Sequence, residues 1–374
     1  MHARPASNRL AHVDSLRAVA ALLVACAHLW ERFLPFAHPD QTAFEKSWPR
    51  YFDFGITGVI VFFSISGFVI YGTLRGPREG AGRRFVISRF FRLFPAYWAS
   101  MIGGLIFIWW WQGLPITGAM VAGNATMLPT IFQQPQVMGL YWTLETELAF
   151  YFSCWVIWRC GWLDNPRMLA GLVVGMSLAW FAVKGVTQLL ATADGIPGSW
   201  KNLPRHLGIM FWGAYFRIVY DESEGFRRKL RDRKFWILVG LTLVILAVGG
   251  ARQFRFFIHP SRSWFSPYVV GPGLFLCWVV WLRVRARALV WLGQISYSIY
   301  LFHLVVATPL LVFVARPEHA AWRGWPVVCY VVPAIALSIM VSAGIYYAVE
   351  RPAISLGRRL ASRRPGDFGV QAAP

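Results

Sequence analysis

Asp14, Arg17 and His28 are the residues able to do chemistry in the first apolar run of this chain, which extends to about Leu34. In a helix, 100° per residue puts Arg17 about 300° and His28 about 320° on from Asp14, so the three share one narrow stripe. Arg17 and His28 are then roughly 16 Å apart along the axis. The other positions are mostly Ala, Leu and Val, suited to lipid or to neighbouring helices. An imidazole exchanges protons near neutral pH, and a guanidinium grips anions with a fork of N–H donors. Ionisable groups inside a membrane span are expensive. The stripe is therefore either a functional path or a set of polar groups satisfied within a bundle.

Other polar residues recur at matching depths. Arg89 and Arg92 share a helix face, either as a phosphate grip or as ordinary positive charge at a membrane surface. Pro95 is expected in the first turn of the span that follows them. Glu147 lies about 9 Å below the outer end of a span beginning near Tyr141, and His28 lies equally deep in the first span. The two are expected to meet, with the carboxylate fixing the imidazole's tautomer; the alternative for Glu147 is partnership with a buried arginine. Glu145 is expected at the rim. His303 sits near the depth of His28, as a second imidazole lining a path or as a packing residue. Arg205-His206 is placed to touch an acidic or sugar acceptor, and Glu350-Arg351 is expected to form an ion pair.

The elements that must position these groups are membrane helices. The chain of 374 residues is 57% hydrophobic and 14% charged, where a soluble chain is about 25% charged. Its 20 Trp and 29 Phe fit a lipid-facing surface with interfacial aromatic belts. Taking about 20 apolar residues per span gives about ten, near 13–34, 53–74, 95–112, 141–158, 168–190, 203–219, 235–250, 266–282, 289–313 and 325–348. The net charge of +20 falls in short runs between spans. That is the positive-inside pattern reinforced by anionic lipid, not the basic face of a nucleic-acid binder. It predicts an all-α polytopic bundle with both termini cytoplasmic. A cytoplasmic segment 1–12 precedes a transmembrane domain 13–350, and a basic, unstructured tail 351–374 follows.

The link 251–265 is an exception, being basic yet expected outside; an acidic ligand would explain it. Arg4 and Arg9 before the run ending Leu23-Val24-Ala25-Cys26 resemble a lipoprotein signal, but cleavage there would discard the polar stripe, so an uncleaved first span is expected. Residues 117–131 are too short to span and are read as a half-helix or re-entrant piece containing a nominal glycosylation triplet at Asn124. The five cysteines show neither CxxC nor metal spacing, so no metal site is expected. Phosphate-loop, serine-hydrolase, zinc-protease and dinucleotide fingerprints do not occur.

Six stretches in order resemble the membrane acyltransferase 3 family over about residues 10–355. They are Asp14-x-x-Arg17-x(10)-His28, Gly58-Val-Ile-Val-Phe-Phe-Ser-Ile-Ser-Gly67-Phe, Arg89-x-x-Arg92-x-x-Pro95-x-Tyr97, Trp142-x-Leu-x-x-Glu147-x-x-Phe150-Tyr151, Ile295-Ser-Tyr-Ser-Ile-Tyr-Leu-Phe-His303 and Glu350-Arg-Pro. The chain resembles the short form, without a fused extracytoplasmic hydrolase-like domain. It departs from the family pattern in having Ile60-Val61 where a polar residue is commoner, and Glu147-Leu148 where two acids are commoner.

The resemblance implies an enzyme of the bacterial inner membrane. It would move an acyl group, with acetyl expected, from cytoplasmic acyl-coenzyme A to a hydroxyl of an extracytoplasmic or lipid-linked glycan or another small acceptor. No permanently bound cofactor is implied; acyl-coenzyme A is the donor substrate. His28 would be catalytic, with Glu147 orienting it, and Arg17, Arg89 and Arg92 would serve donor binding or the essential scaffold. The motif residues Tyr97, Trp142 and His303 join the expected substrate-binding set. A covalent acyl-histidine step stays open beside a general-base role. The rival class is a transporter or channel for a glycan or anion, which would use the same polar stripe as a path.

Overall fold

The computed structural model describes residues 10–38, 52–74, 80–189, 198–222, 232–250 and 266–362. The expectations for Arg4 and Arg9, for the link 251–265 and for the tail beyond 362 lie outside the described residues. In chain order the helices are α1 (Ala11–Phe33), α2 (Phe54–Thr73), α3 (Ala81–Gly104), α4 (Gly118–Ala125), α5 (Trp142–Arg159), α6 (Pro166–Leu189), α7 (Gly198–Glu222) and α8 (Arg233–Gly250). They continue as α9 (Pro267–Cys277), α10 (Arg287–Gln294), α11 (Ser296–Ala315), α12 (Val327–Ile345) and α13 (Arg351–Ser362).

Seven of the described helical stretches are long and apolar enough to cross a membrane: 11–36, 54–73, 81–110, 166–187, 233–250, 296–315 and 327–362. The other three expected spans are present as helices that fall short of that standard. The 18 residues of α5 include Glu145, Glu147 and Arg159, α7 carries Lys201, Arg205, Arg217, Asp221 and Glu222, and 267–282 is shorter. Two boundaries move. The helix that carries the third span starts at Ala81, not near 95, so Arg89 and Arg92 lie within the helix and Pro95 is interior to it, where it removes one backbone hydrogen bond. The chain also stays helical to Ser362, past the expected tail boundary at 350.

A helix that is apolar on every face is stable only if every face is covered. The helix α2 has no charged residue and is the most enclosed of the spanning stretches, followed by α11 and α1. Asp53 caps it, its Oδ1 accepting the Ile56 N–H at 2.9 Å. Glycine lets its backbone touch a neighbour: a Cβ on Gly67 would lie 1.8 Å from the Met210 carbonyl oxygen of α7. Around this centre α1 packs on α2, α10, α11 and α12, while α6 covers α7. Leu178, Phe181 and Val186 of α6 face outward, as a lipid-facing helix requires.

The half-helix expected in 117–131 is α4, capped by Thr117, whose Oγ1 accepts the Met120 N–H. It is tied to α3 by the Trp98 indole, which donates to the Ala125 carbonyl at 2.9 Å. Asn124 is fully buried. Its amide donates to the Met120 and Pro135 carbonyls and its oxygen accepts the Val137 N–H. The side chain is thus a brace for the turn, and the triplet is no glycosylation site in this fold.

Candidate active site

Arg17 of α1 and Arg89 and Arg92 of α3 line one cavity, which is partly open to solvent. Ser66 of α2, Thr143, Glu147 and Tyr151 of α5, and Ser296, Tyr297 and Tyr300 of α11 complete its polar wall. Arg17 reaches back to Asp14, with Nη1 3.4 Å from Oδ1. Arg89 lies over the Tyr151 and Phe85 rings, its Cζ 5.5 and 5.7 Å from their centroids. Its Nε is buried with no hydrogen-bond partner among the described residues. Three guanidiniums converge on the cavity, and that of Arg89 leaves a donor unfilled. That is the chemistry of an anion site.

Glu147 belongs to this cavity. Its Oε1 accepts from Ser66 Oγ at 3.1 Å and from the Tyr151 hydroxyl. The hydrogen-bonded partner of His28 is instead His303, with Nδ1 of His28 2.9 Å from Nε2 of His303. The expectation that Glu147 meets His28 fails on depth. The start of α5 is not at a surface: Tyr141, Thr143, Leu144, Glu145 and Thr146 are buried. Thr143 contacts the Tyr300 hydroxyl at 2.6 Å, and α5 and α11 run antiparallel there. Glu147 therefore lies about 6 Å to one side of that contact and His303 about 4.5 Å to the other. Glu145 is likewise no rim residue. It is 7% exposed, and its Oε1 accepts from the backbone N–H and hydroxyl of Thr130.

Tyr300 connects the two centres. It lines the cavity, donates to the Leu140 carbonyl, and its ring centroid is 6.2 Å from that of His303. The structure thus brings together Arg17, Arg89, Arg92 and Glu147 in one group, and His28 with His303 in the next. Tyr97 and Trp142 stand outside both. Tyr97 is fully buried, donates to the Asn124 carbonyl at 2.7 Å and packs on Tyr141 at 4.6 Å. Trp142 packs on Phe63 and His206. Arg205 is buried as a helix cap, donating to the Val248 and Gly249 carbonyls at the end of α8. His206 pairs with the Tyr268 hydroxyl at 3.1 Å.

Glu350 is the residue whose part the sequence concealed. It is 1% exposed, accepts from Ser298 at 2.7 Å and lies in electrostatic reach of Arg92 and Arg17. Arg351 turns away, over the Tyr347 ring. The expected Glu350–Arg351 pair is thus replaced by a buried carboxylate that accepts from Ser298 and lies in electrostatic reach of the cavity's arginines. The available signal was the acid itself, closing a long apolar run.

The fold and the site define an all-helical integral membrane protein with an arginine-lined cavity beside a buried imidazole pair. The chain belongs to the acyltransferase 3 family: the family's profile, described as an acyltransferase domain, matches residues 10–347. Among curated relatives it is 24% identical to "Nodulation protein 10" of Rhizobium leguminosarum bv. viciae, over 94% of this chain and 95% of that one. It is 26% identical to "Exopolysaccharide production protein ExoZ" of Rhizobium meliloti (strain 1021), over 83% of this chain and 92% of that one. "Peptidoglycan O-acetyltransferase OatA" of Listeria monocytogenes serovar 1/2a matches at 21% identity, over 83% of this chain and 51% of its own length. No solved structure matches the chain.

Proposed function

We propose that this acyltransferase moves an acyl group, acetyl in the first instance, from acyl-coenzyme A to a hydroxyl of a polysaccharide or lipid-linked glycan across the bacterial inner membrane. The observation that carries the reading is the convergence of Arg17, Arg89 and Arg92 on one cavity whose wall at Tyr300 adjoins the His28–His303 pair. Two relatives bear names of O-acetyl transfer and exopolysaccharide production, which supports a glycan acceptor. In this reading ten helices span the bilayer, both termini are cytoplasmic, and the cavity opens to the cytoplasm.

The chemistry follows from the arrangement. The arginines hold the coenzyme's phosphates. The thin pantetheine arm spans the roughly 16 Å of helix between Arg17 and His28. The acceptor hydroxyl gives its proton to the His28 imidazole while its oxygen attacks the thioester carbonyl carbon. The C–S bond then breaks, and the leaving thiolate takes the proton from His28, so the ring is regenerated.

The test is mass spectrometry of surface glycans and lipid-linked sugars from cells carrying the wild-type protein, His28→Ala or no protein. An added acyl mass found only with wild type, at equal membrane expression, is the expected result. Acylation that persists in His28→Ala overturns the base assignment. No mass difference in any glycan, with a solute moved unmodified, turns the reading to a transporter.

A further inference from the structure

The hydrogen bonds of the two histidines run in one direction. Nδ1 of His303 is 3.1 Å from the Ile299 carbonyl oxygen. A carbonyl can only accept, so that nitrogen carries the hydrogen. A neutral His303 then has its lone pair on Nε2, the atom facing Nδ1 of His28 at 2.9 Å. His28 must donate there, which leaves the lone pair of its own ring on Nε2.

The ring geometry agrees. The centroids are 5.2 Å apart with planes within 2°, further apart than the bonded nitrogens by about one ring width. The rings therefore lie edge to edge in one plane, where a nitrogen lone pair points. The opposite assignment needs a doubly protonated His303. That ring is fully buried, and the charged group in electrostatic reach of both rings is Arg32, one turn beyond His28 on α1. A buried cation beside another cation, hydrogen-bonded to no carboxylate among the described residues, is strongly disfavoured.

We infer that His303 is a positioning residue: by accepting from Nδ1, it holds His28 in the tautomer whose Nε2 is free to take the acceptor's proton. The inference rests on the reading of His28 as the base. It assigns to a neutral imidazole, held by the Ile299 carbonyl, the orienting part expected of Glu147. His28 thus keeps its orientation without a buried carboxylate.

Nitrogen NMR of the full-length protein, histidine-labelled and reconstituted in lipid nanodiscs, tests it, with the His28 signals identified by their loss in His28→Ala. Wild type should show a pyrrole-type Nδ1 and a pyridine-type Nε2 in His28. His303→Gln offers an amide oxygen to Nδ1, and should keep that tautomer and most of the glycan acylation seen in cells. His303→Phe should give mixed His28 tautomers and acylation lower by about 10²-fold. A pyrrole-type Nε2 in wild type, or a tautomer unmoved in His303→Phe, overturns the inference. The stated tautomer with acylation retained in His28→Ala overturns the function reading and leaves the hydrogen-bond assignment standing.

Discussion

Thr143 and Tyr300 meet through their side-chain oxygens at 2.6 Å, joining α5 to α11. This contact sets the level of both chemical groups. One turn along α5 is Glu147, among the arginines, and one turn along α11 is His303, beside His28. Tyr300→Phe removes that bond and the one to the Leu140 carbonyl. It is expected to destabilise the protein by roughly 1–3 kcal/mol and to lower acylation through loss of register. Thermal unfolding in detergent, paired with glycan mass spectrometry, checks both.

The arginine cavity makes a prediction about binding rather than chemistry. Arg89→Ala and Arg92→Ala should each weaken acetyl-coenzyme A binding by about tenfold to a hundredfold, the range of a charge-assisted hydrogen bond. Lysine restores the charge but not the planar fork, so Arg92→Lys should recover only part of the loss. Titration of the purified protein with acetyl-coenzyme A measures this. Unchanged affinity in all three variants removes the donor site from the cavity.

Glu350 lies in electrostatic reach of Arg92 and Arg17 from a position closed to solvent. Glu350→Ala leaves Ser298 and two half-buried cations without that carboxylate. Loss of folded protein is the expected outcome, since breaking a buried charge arrangement costs about 3–5 kcal/mol. Glu350→Gln keeps the acceptor for Ser298 and should fold better than Glu350→Ala. Size-exclusion profiles and melting temperatures of the two variants decide the matter.

Close helix packing is tested at glycine. Gly67→Ala drives a methyl into the Met210 backbone and should sharply reduce the folded yield. Gly175→Ala on α6, where a Cβ meets nothing within 4 Å, should be neutral in the same expression assay.

Glu145 holds the turn that follows α4 through the Thr130 backbone and hydroxyl. Glu145→Ala should speed amide exchange at Thr130 and leave acetyl-coenzyme A affinity unchanged, because Glu145 does not line the arginine cavity. Hydrogen exchange followed by mass spectrometry reads the first effect and titration the second.

Local pattern made much of this molecule legible. The uncharged run 54–73 is a buried helix because nothing in it can face water, and Asp53 and Thr117 start helices as their side chains allow. His28, His303, Arg17, Arg89, Arg92 and Glu147 stand out because ionisable groups are rare within apolar runs. Partnership was another matter. His28 and His303 are 275 residues apart, and the bond between them exists because α1 and α11 pack side by side. Glu147 joined the arginines because the start of α5 is buried within the bundle, whereas depth was counted from an exposed span end. Glu350 turned inward, away from the cation next to it in sequence. Hydropathy and helical period are properties of a single segment, so residue types and helix faces follow from the sequence alone. The level at which two helices cross depends on packing between distant segments, and only the tertiary structure decided it.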